Sequence, residues 1–309
     1  MSKKTASSAD VMYYLNSACQ DVKSRRPGKL VCCQEMSEGM QILDAQICGY
    51  LYSEPKTYGG HELSILSRPW MALLMFREGN VERFKCGGTL ITERFVLTAA
   101  HCFNEGDPQF VRLGEYKISN ETDCGIVKGK YECAPPVEDI KIDKVIKHEN
   151  FSKFTGLNDI ALIKLSKEVV RDENGKLKNN IRPICLPLND TLQELAENEE
   201  EFLVTGWGKM ETANFSDVML ETNINKKTRK DCRNISSSQL CAGDLGFDSC
   251  SGDSGGPLFL LTDMYKNLQR FVQLGIVSYG ATHCANGEPA VYTNVASYIH
   301  WIADNIAHN

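Results

Sequence analysis

Asp248-Ser249-Cys250-Ser251-Gly252-Asp253-Ser254-Gly255-Gly256-Pro257 is the stretch on which the reading of this chain turns. It holds a serine, Ser254, between glycines and behind an aspartate and a cysteine. Glycines there remove Cβ atoms, so backbone N–H groups can come close to a reacting carbonyl. A run of this composition also suits an ordinary tight turn. Two other motifs decide the matter: Leu97-Thr98-Ala99-Ala100-His101-Cys102 upstream, and Asn158-Asp159-Ile160-Ala161-Leu162 between them. Together they supply a base, an orienting carboxylate and a nucleophile in the order His101, Asp159, Ser254. A serine hydroxyl is a poor nucleophile until a base of near-neutral pKa takes its proton, which a histidine can do. Of the six histidines, His101 stands out because it follows the strand-like run Phe95 to Thr98 and is pinned by Cys102. Asp159 precedes the apolar run Ile160 to Leu165, where an aspartate also serves as a strand-end cap; the other two motifs give it the chemical role.

Composition narrows the setting. The chain has 309 residues, 42% of them hydrophobic and 24% charged, as in ordinary globular proteins, and is long enough for two lobes. A formal charge of −6 argues against a nucleic-acid partner. No apolar run approaches the ~18 residues of a membrane-spanning helix. Thirteen cysteines, spaced unlike zinc ligands, point to disulfides and an oxidising compartment. Sequons at Asn120, Asn150, Asn189, Asn214 and Asn234 agree with an extracellular protein. Against this, Met1 to Asp10 has no apolar core and Val11 to Leu15 is too short for a secretion signal, so the start reads as incomplete or alternative.

Short strands separated by turns fill the chain from residue 57, among them Arg94 to Thr98, Phe202 to Thr205 and Leu274 to Ser278. The stripe Val295, Tyr298, Ile299, Ile302, Ile306 predicts a C-terminal packing helix. Leu188 to Glu201, rich in glutamate, reads as a solvated surface segment.

The three motifs resemble those of trypsin-like serine proteases of the chymotrypsin fold, over the chain from about Thr57 to the C-terminus. The resemblance implies an all-β fold: two antiparallel six-stranded β-barrels with a C-terminal α-helix, residues 57–309. It implies Ser254 as nucleophile, His101 as base and then acid, Asp159 as the orienting carboxylate, and the N–H groups of Gly252 and Ser254 as the oxyanion hole. Residues 1–56 would be a pro-segment and linker. There Cys19 and the adjacent Cys32-Cys33 resemble the second half of a clip domain of arthropod cascade proteases, a domain of six cysteines whose first three are missing. On the same grounds Asp248 would sit at the base of the primary pocket and select Arg or Lys, with Ser278, Gly280 and Ala290 lining it. Ala290 departs from the family's usual glycine and leaves the balance of Arg and Lys open. Cleavage after Lys56 would free the amino group of Thr57, where the family prefers Ile or Val, to pair with Asp253.

The family pairings would be Cys48–Cys185, Cys86–Cys102, Cys124–Cys133, Cys232–Cys241 and Cys250–Cys284. Cys19, Cys32 and Cys33 are left over; Cys19 bridges one of the other two or all three stay unpaired. Residues 1–47 are expected to be mobile, and after cleavage to stay attached through Cys48–Cys185 alone. The loop from Glu115 to Asp123 resembles a calcium loop, with carboxylates from Glu115 and Asp123 and backbone carbonyls from Lys117 and Asn120 as hard oxygen ligands; it is also readable as an acidic surface loop. The chemistry itself needs no cofactor. Implied partners are a protein substrate, an upstream activating protease and serpin-type inhibitors, with no membrane. The rival readings are a non-catalytic homologue acting as a cascade cofactor, and a digestive trypsin.

Overall fold

A computed structural model describes residues 36–50, 61–79, 81–208, 215–243, 252–265, 268–280 and 288–309. Lys56, Thr57, Asp248, Cys250 and Cys284 lie outside the described residues, as do Cys19, Cys32 and Cys33. The chain divides into two compact units, Met1–Ser37 and Glu38–Asn309, and the elements below belong to the second. Among the described residues no helix is long and apolar enough to cross a membrane.

In chain order, helix α1 (Glu38–Asp44) comes first, then a two-residue strand β1 (His61–Glu62). Four strands of the first barrel follow: β2 (Met71–Glu78), β3 (Val81–Leu90), β4 (Phe95–Thr98) and β5 (Phe110–Leu113). After the hairpin β6 (Cys124–Val127) and β7 (Lys130–Cys133) come β8 (Glu138–Lys147) and β9 (Ala161–Leu165). The barrel closes in the order β2-β3-β4-β9-β8-β5. Met71 to Leu74 and all of β4 are buried on both faces, which is why these runs are almost continuously apolar. Register shifts at Leu74/Met75 and Ile142/Lys144 supply the bends that closure needs.

The second half begins with two short helices, α2 (Asp190–Gln193) and α3 (Leu195–Asn198). They correct the reading of Leu188 to Glu201 as merely solvated. Leu192, Leu195 and Ala196 turn into the second core, leaving the glutamates outside. Strands β10 (Glu201–Gly206), β11 (Leu220–Asn225), β12 (Gln239–Ala242), β13 (Pro257–Tyr265), β14 (Leu268–Tyr279) and β15 (Ala290–Asn294) follow. With β1 they form a seven-stranded sheet, β1-β11-β10-β13-β14-β15-β12. The expected barrel is therefore a curled half-barrel here. β1 takes the edge at the start of β11, and the far ends meet through a lone Lys226–Ala242 bridge. A 3-10 turn, Val295–Tyr298, leads into helix α4 (Ile299–His308), and all five residues of the apolar stripe are buried.

Four of the five expected disulfides are present: Cys48–Cys185, Cys86–Cys102, Cys124–Cys133 and Cys232–Cys241. The expectation of a mobile segment up to residue 47 fails from Glu38 onward. Met40 and Leu43 of α1 are buried, and a Cβ on Gly39 would lie 1.8 Å from the carbonyl oxygen of Ala303 in α4. Such close backbone contact admits only glycine.

The two halves are joined by a buried charge. Arg68, at the entrance to β2, makes a bidentate pair with Glu221 of β11, at 2.5 and 2.6 Å. Its guanidinium lies 4.4 Å from the ring centroid of Phe271 and near Trp70 and Phe259. Thr205 also donates to Glu221, at 2.7 Å. Breaking such a pair strands one charge in a low-dielectric setting, at a cost of about 3–5 kcal/mol. Arg68→Met is expected to lose about that much in urea unfolding, and Arg68→Met/Glu221→Leu to regain most of it. A double variant no more stable than the single one would contradict this reading.

Candidate active site

The end of β4 delivers the histidine. Ala99 and Ala100 are fully buried, and a 3-10 turn, Ala100–Phe103, carries His101 out of the barrel wall while the Cys86–Cys102 disulfide ties that turn to β3. Asp159, 2% exposed, faces it from the approach to β9. The backbone N–H of His101 donates to Oδ1 at 2.8 Å, and ring Nδ1 lies 2.7 Å from Oδ2. The Ser278 hydroxyl donates to the same Oδ2 at 2.5 Å. Three donors therefore satisfy a carboxylate that burial would otherwise penalise. With Nδ1 held there, Nε2 is the ring nitrogen left for proton transfer.

The serine sits in a turn wedged between the halves. Its carbonyl accepts from Gly87 N–H at 2.8 Å, Gly255 N–H donates to Val277 at 2.9 Å, and Gly256 N–H donates to Asp253 at 2.8 Å. Gly255 has φ +80, and a Cβ on it would lie 2.2 Å from Thr98 Oγ1. Cys102 Sγ is 3.8 Å from the Ser254 carbonyl, so the histidine turn and the serine turn abut. Asp253 points the other way. Its carboxylate accepts from Gly208 N–H at 2.9 Å and fills the space where Cβ atoms on Gly206 and Gly208 would lie, at 2.0 and 2.1 Å. The Phe215 ring lies against Gly252, 2.6 Å from where a Cβ would stand, and meets Phe84 edge-on at 5.2 Å.

Of the expected pocket residues, Ser278 and Ala290 are buried and Gly280 is exposed; Asp248 lies outside the described residues. Ser278 thus carries a contact that its sequence context did not announce, the bond to Asp159. Gly206, Gly208 and Gly156 also escaped notice. A Cβ on Gly156 would strike the Tyr279 ring at 2.3 Å. Nothing in the sequence marks these glycines, because their partners come from distant segments.

His101, Cys86 and Cys102 place donor atoms within 4.8 Å of one another, but both sulfurs are spent in a disulfide, so no thiolate is on offer to a metal. The Glu115–Asp123 loop is different. Both carboxylates are buried, and burial first, with the charge of Asp123 adding to it, raises the Glu115 pKa. Arg112 offsets part of this from 3.5 Å. Lys117 N–H and the Asn120 amide both turn toward Asp123, at 3.2 and 3.4 Å. Two buried acids with a partial counter-charge make a donor set that suits a hard divalent cation.

The residues 57–302 match the family model described as Trypsin. The chain is 42% identical to serine protease grass of Drosophila melanogaster over 273 residues, 85% of this chain and 70% of that protein. It is 37% identical to phenoloxidase-activating factor 3 of Holotrichia diomphalia over 308 residues, 94% of this chain and 84% of that protein. The crystal structure of the Drosophila Grass clip serine protease of the Toll pathway superposes with a TM-score of 0.79 at 38% identity, covering 88% of this chain and 78% of that one.

The packing around Asp253 yields one expectation. Gly208→Ala puts a methyl into the carboxylate, so the turn from Gly252 to Ser254 must shift. Fluorophosphonate labelling of Ser254 is expected to fall by about tenfold or more, with the melting temperature changed by a few degrees at most. Labelling at the unsubstituted rate would show that the turn tolerates the methyl.

Proposed function

The chain belongs to the trypsin family of serine proteases, and from that membership we propose that it is a serine endopeptidase zymogen of an extracellular proteolytic cascade, activated after Lys56 and cutting after Arg or Lys. What carries the catalytic reading is the buried carboxylate of Asp159 on His101 Nδ1 at 2.7 Å. In this reading Ser254 Oγ attacks the scissile carbonyl while His101 Nε2 takes its proton. The tetrahedral oxyanion is met by the N–H groups of Gly252 and Ser254, and the imidazolium is stabilised by Asp159. His101 then protonates the leaving amine, the C–N bond breaks, and water repeats the cycle to release the acyl group.

The surroundings of Asp253 support the activation step. A new ammonium on Thr57 would neutralise that carboxylate and set the turn of the oxyanion hole. Thr57 gives up about one methylene of burial relative to Ile, ~0.8 kcal/mol, and brings a hydroxyl that needs a partner. For specificity, Asp248 supplies the charge that selects a cationic side chain, and the methyl of Ala290 narrows the slot. Relatives named for phenoloxidase activation and the Toll pathway support a downstream proprotein as substrate and an upstream protease as activator; the same reading takes serpin-type inhibitors as regulators and a secreted chain. Two variants test this together. In the chain cut after Lys56, Ser254→Ala is expected to abolish hydrolysis of an Arg amide. Asp248→Ser should keep fluorophosphonate labelling but lose the preference for Arg and Lys over Phe in kcat/KM. An Arg preference surviving in Asp248→Ser would sink the pocket assignment.

Glu115 and Asp123, with carbonyls of Lys117 and Asn120, would hold Ca²⁺, which supplies structural cross-linking and takes no part in the chemistry. Because burial raises the folded-state pKa of Glu115, its protonated form favours folding below the ordinary carboxylate pKa, and that contribution is lost as pH rises through the raised value. Bound Ca²⁺ would take the place of that proton. Millimolar Ca²⁺ is expected to raise the melting temperature at neutral pH, less so on acidification, and not at all in Glu115→Gln. The same rise in that variant would place the ligands elsewhere.

A further inference from the structure

Asp159 is held at more points than its carboxylate. It belongs to the first barrel, ahead of β9, yet its own carbonyl accepts from Thr293 Oγ1 at 2.8 Å, and Thr293 lies in β15 of the other sheet. The residue before it, Asn158, has φ +56, a left-handed conformation that asparagine tolerates better than most. The Asn158 side chain is locked at both ends: its amide donates to Asn150 O at 2.8 Å, and its Oδ1 accepts from the Tyr298 hydroxyl at 2.9 Å. Tyr298 is buried, and desolvation raises its pKa, so the phenol keeps its proton and donates. Thr293 and Tyr298 both follow, in chain order, the turn that carries Ser254, and β15 pairs with β14, which in turn pairs with β13 directly after that turn.

This geometry matters because the three groups read as the triad are split between the halves. His101 and Asp159 ride on the first barrel and Ser254 on the second sheet. Proton transfer needs the imidazole within hydrogen-bond reach of the hydroxyl, and misplacement by about 1 Å can cost ~10²-fold. Any drift of the Asp159 peptide relative to the second sheet moves the imidazole with it. We propose that Thr293 and Tyr298 are positioning residues, which index the Asp159–His101 pair to the sheet bearing Ser254 by fixing the Asn158-Asp159 peptide. The proposal rests on the triad reading above. Neither residue touches a reacting atom; both act through Asp159.

The test uses the full chain cut after Lys56, with Thr293→Val, Thr293→Ser and Tyr298→Phe. Val and Phe keep the shape and remove the hydroxyl, while Ser keeps it. The expected result is a fall in kcat of about tenfold in Thr293→Val and Tyr298→Phe with KM unchanged, and recovery in Thr293→Ser. In parallel, the low-field NMR resonance of the His101 Nδ1 proton should shift or broaden in the first two and not in the third. Turnover and resonance like those of the parent in both Val and Phe variants would overturn the proposal, as would a loss confined to melting temperature. Should Thr293→Val fail to fold, Tyr298→Phe decides alone. A parent chain that shows no turnover would count against the triad reading instead, and the resonance, which needs no turnover, still judges the positioning.

Discussion

The Arg68–Glu221 pair lies where the two halves of the fold must agree. A barrel and a half-barrel could slide along an apolar seam with little penalty, because hydrophobic contact has no direction. A bidentate ion pair cannot slide. Its two bonds, at 2.5 and 2.6 Å, fix both distance and angle, and the faces of Trp70, Phe259 and Phe271 keep water from competing. The buried Thr89–Gln273 bond at 2.6 Å adds a second polar index along the same seam. The value of these contacts is as much register as stability.

Register matters because the site straddles the seam. The turn at Ser254 leads into β13 of the second sheet and is also bonded to Gly87 of the first barrel, so both halves hold it in place. Around it, glycines at positions 206, 208, 252 and 255 give the chain room to pass within contact distance of side chains from elsewhere. A close-packed turn of this kind has few ways to relax, which suits a site whose donors must already be in place when charge develops.

Much of this was legible in the sequence, for a physical reason. The His101, Asp159 and Ser254 motifs are local: each sets a polar residue against small or apolar neighbours within a few positions. The C-terminal helix was visible because five apolar residues repeat with its period. The glycines facing Asp253 were not, since the need for them arises from a carboxylate far along the chain, 45 residues from Gly208. Nor was α1. Seven residues with a glycine among them are too short to hold a helix by propensity, and it is docking on α4 that stabilises them. β1 is two residues long and exists through its pairing with β11. The second barrel was implied by the family resemblance alone; strand-like runs report existence and not closure, so they could not show the seven-stranded order.

The docking of α1 has its own consequence. A cut after Lys56 would leave the upstream piece joined by the Cys48–Cys185 disulfide and, separately, by the face of Gly39, Met40 and Leu43. Each attachment keeps the other's partner close by, at an effective concentration far above that of any free fragment. A disulfide that opened would therefore meet its own sulfur again before the helix let go. After such a cut, the piece from Glu38 would act as a bivalent ligand of the rest of the fold, and its departure would require both losses.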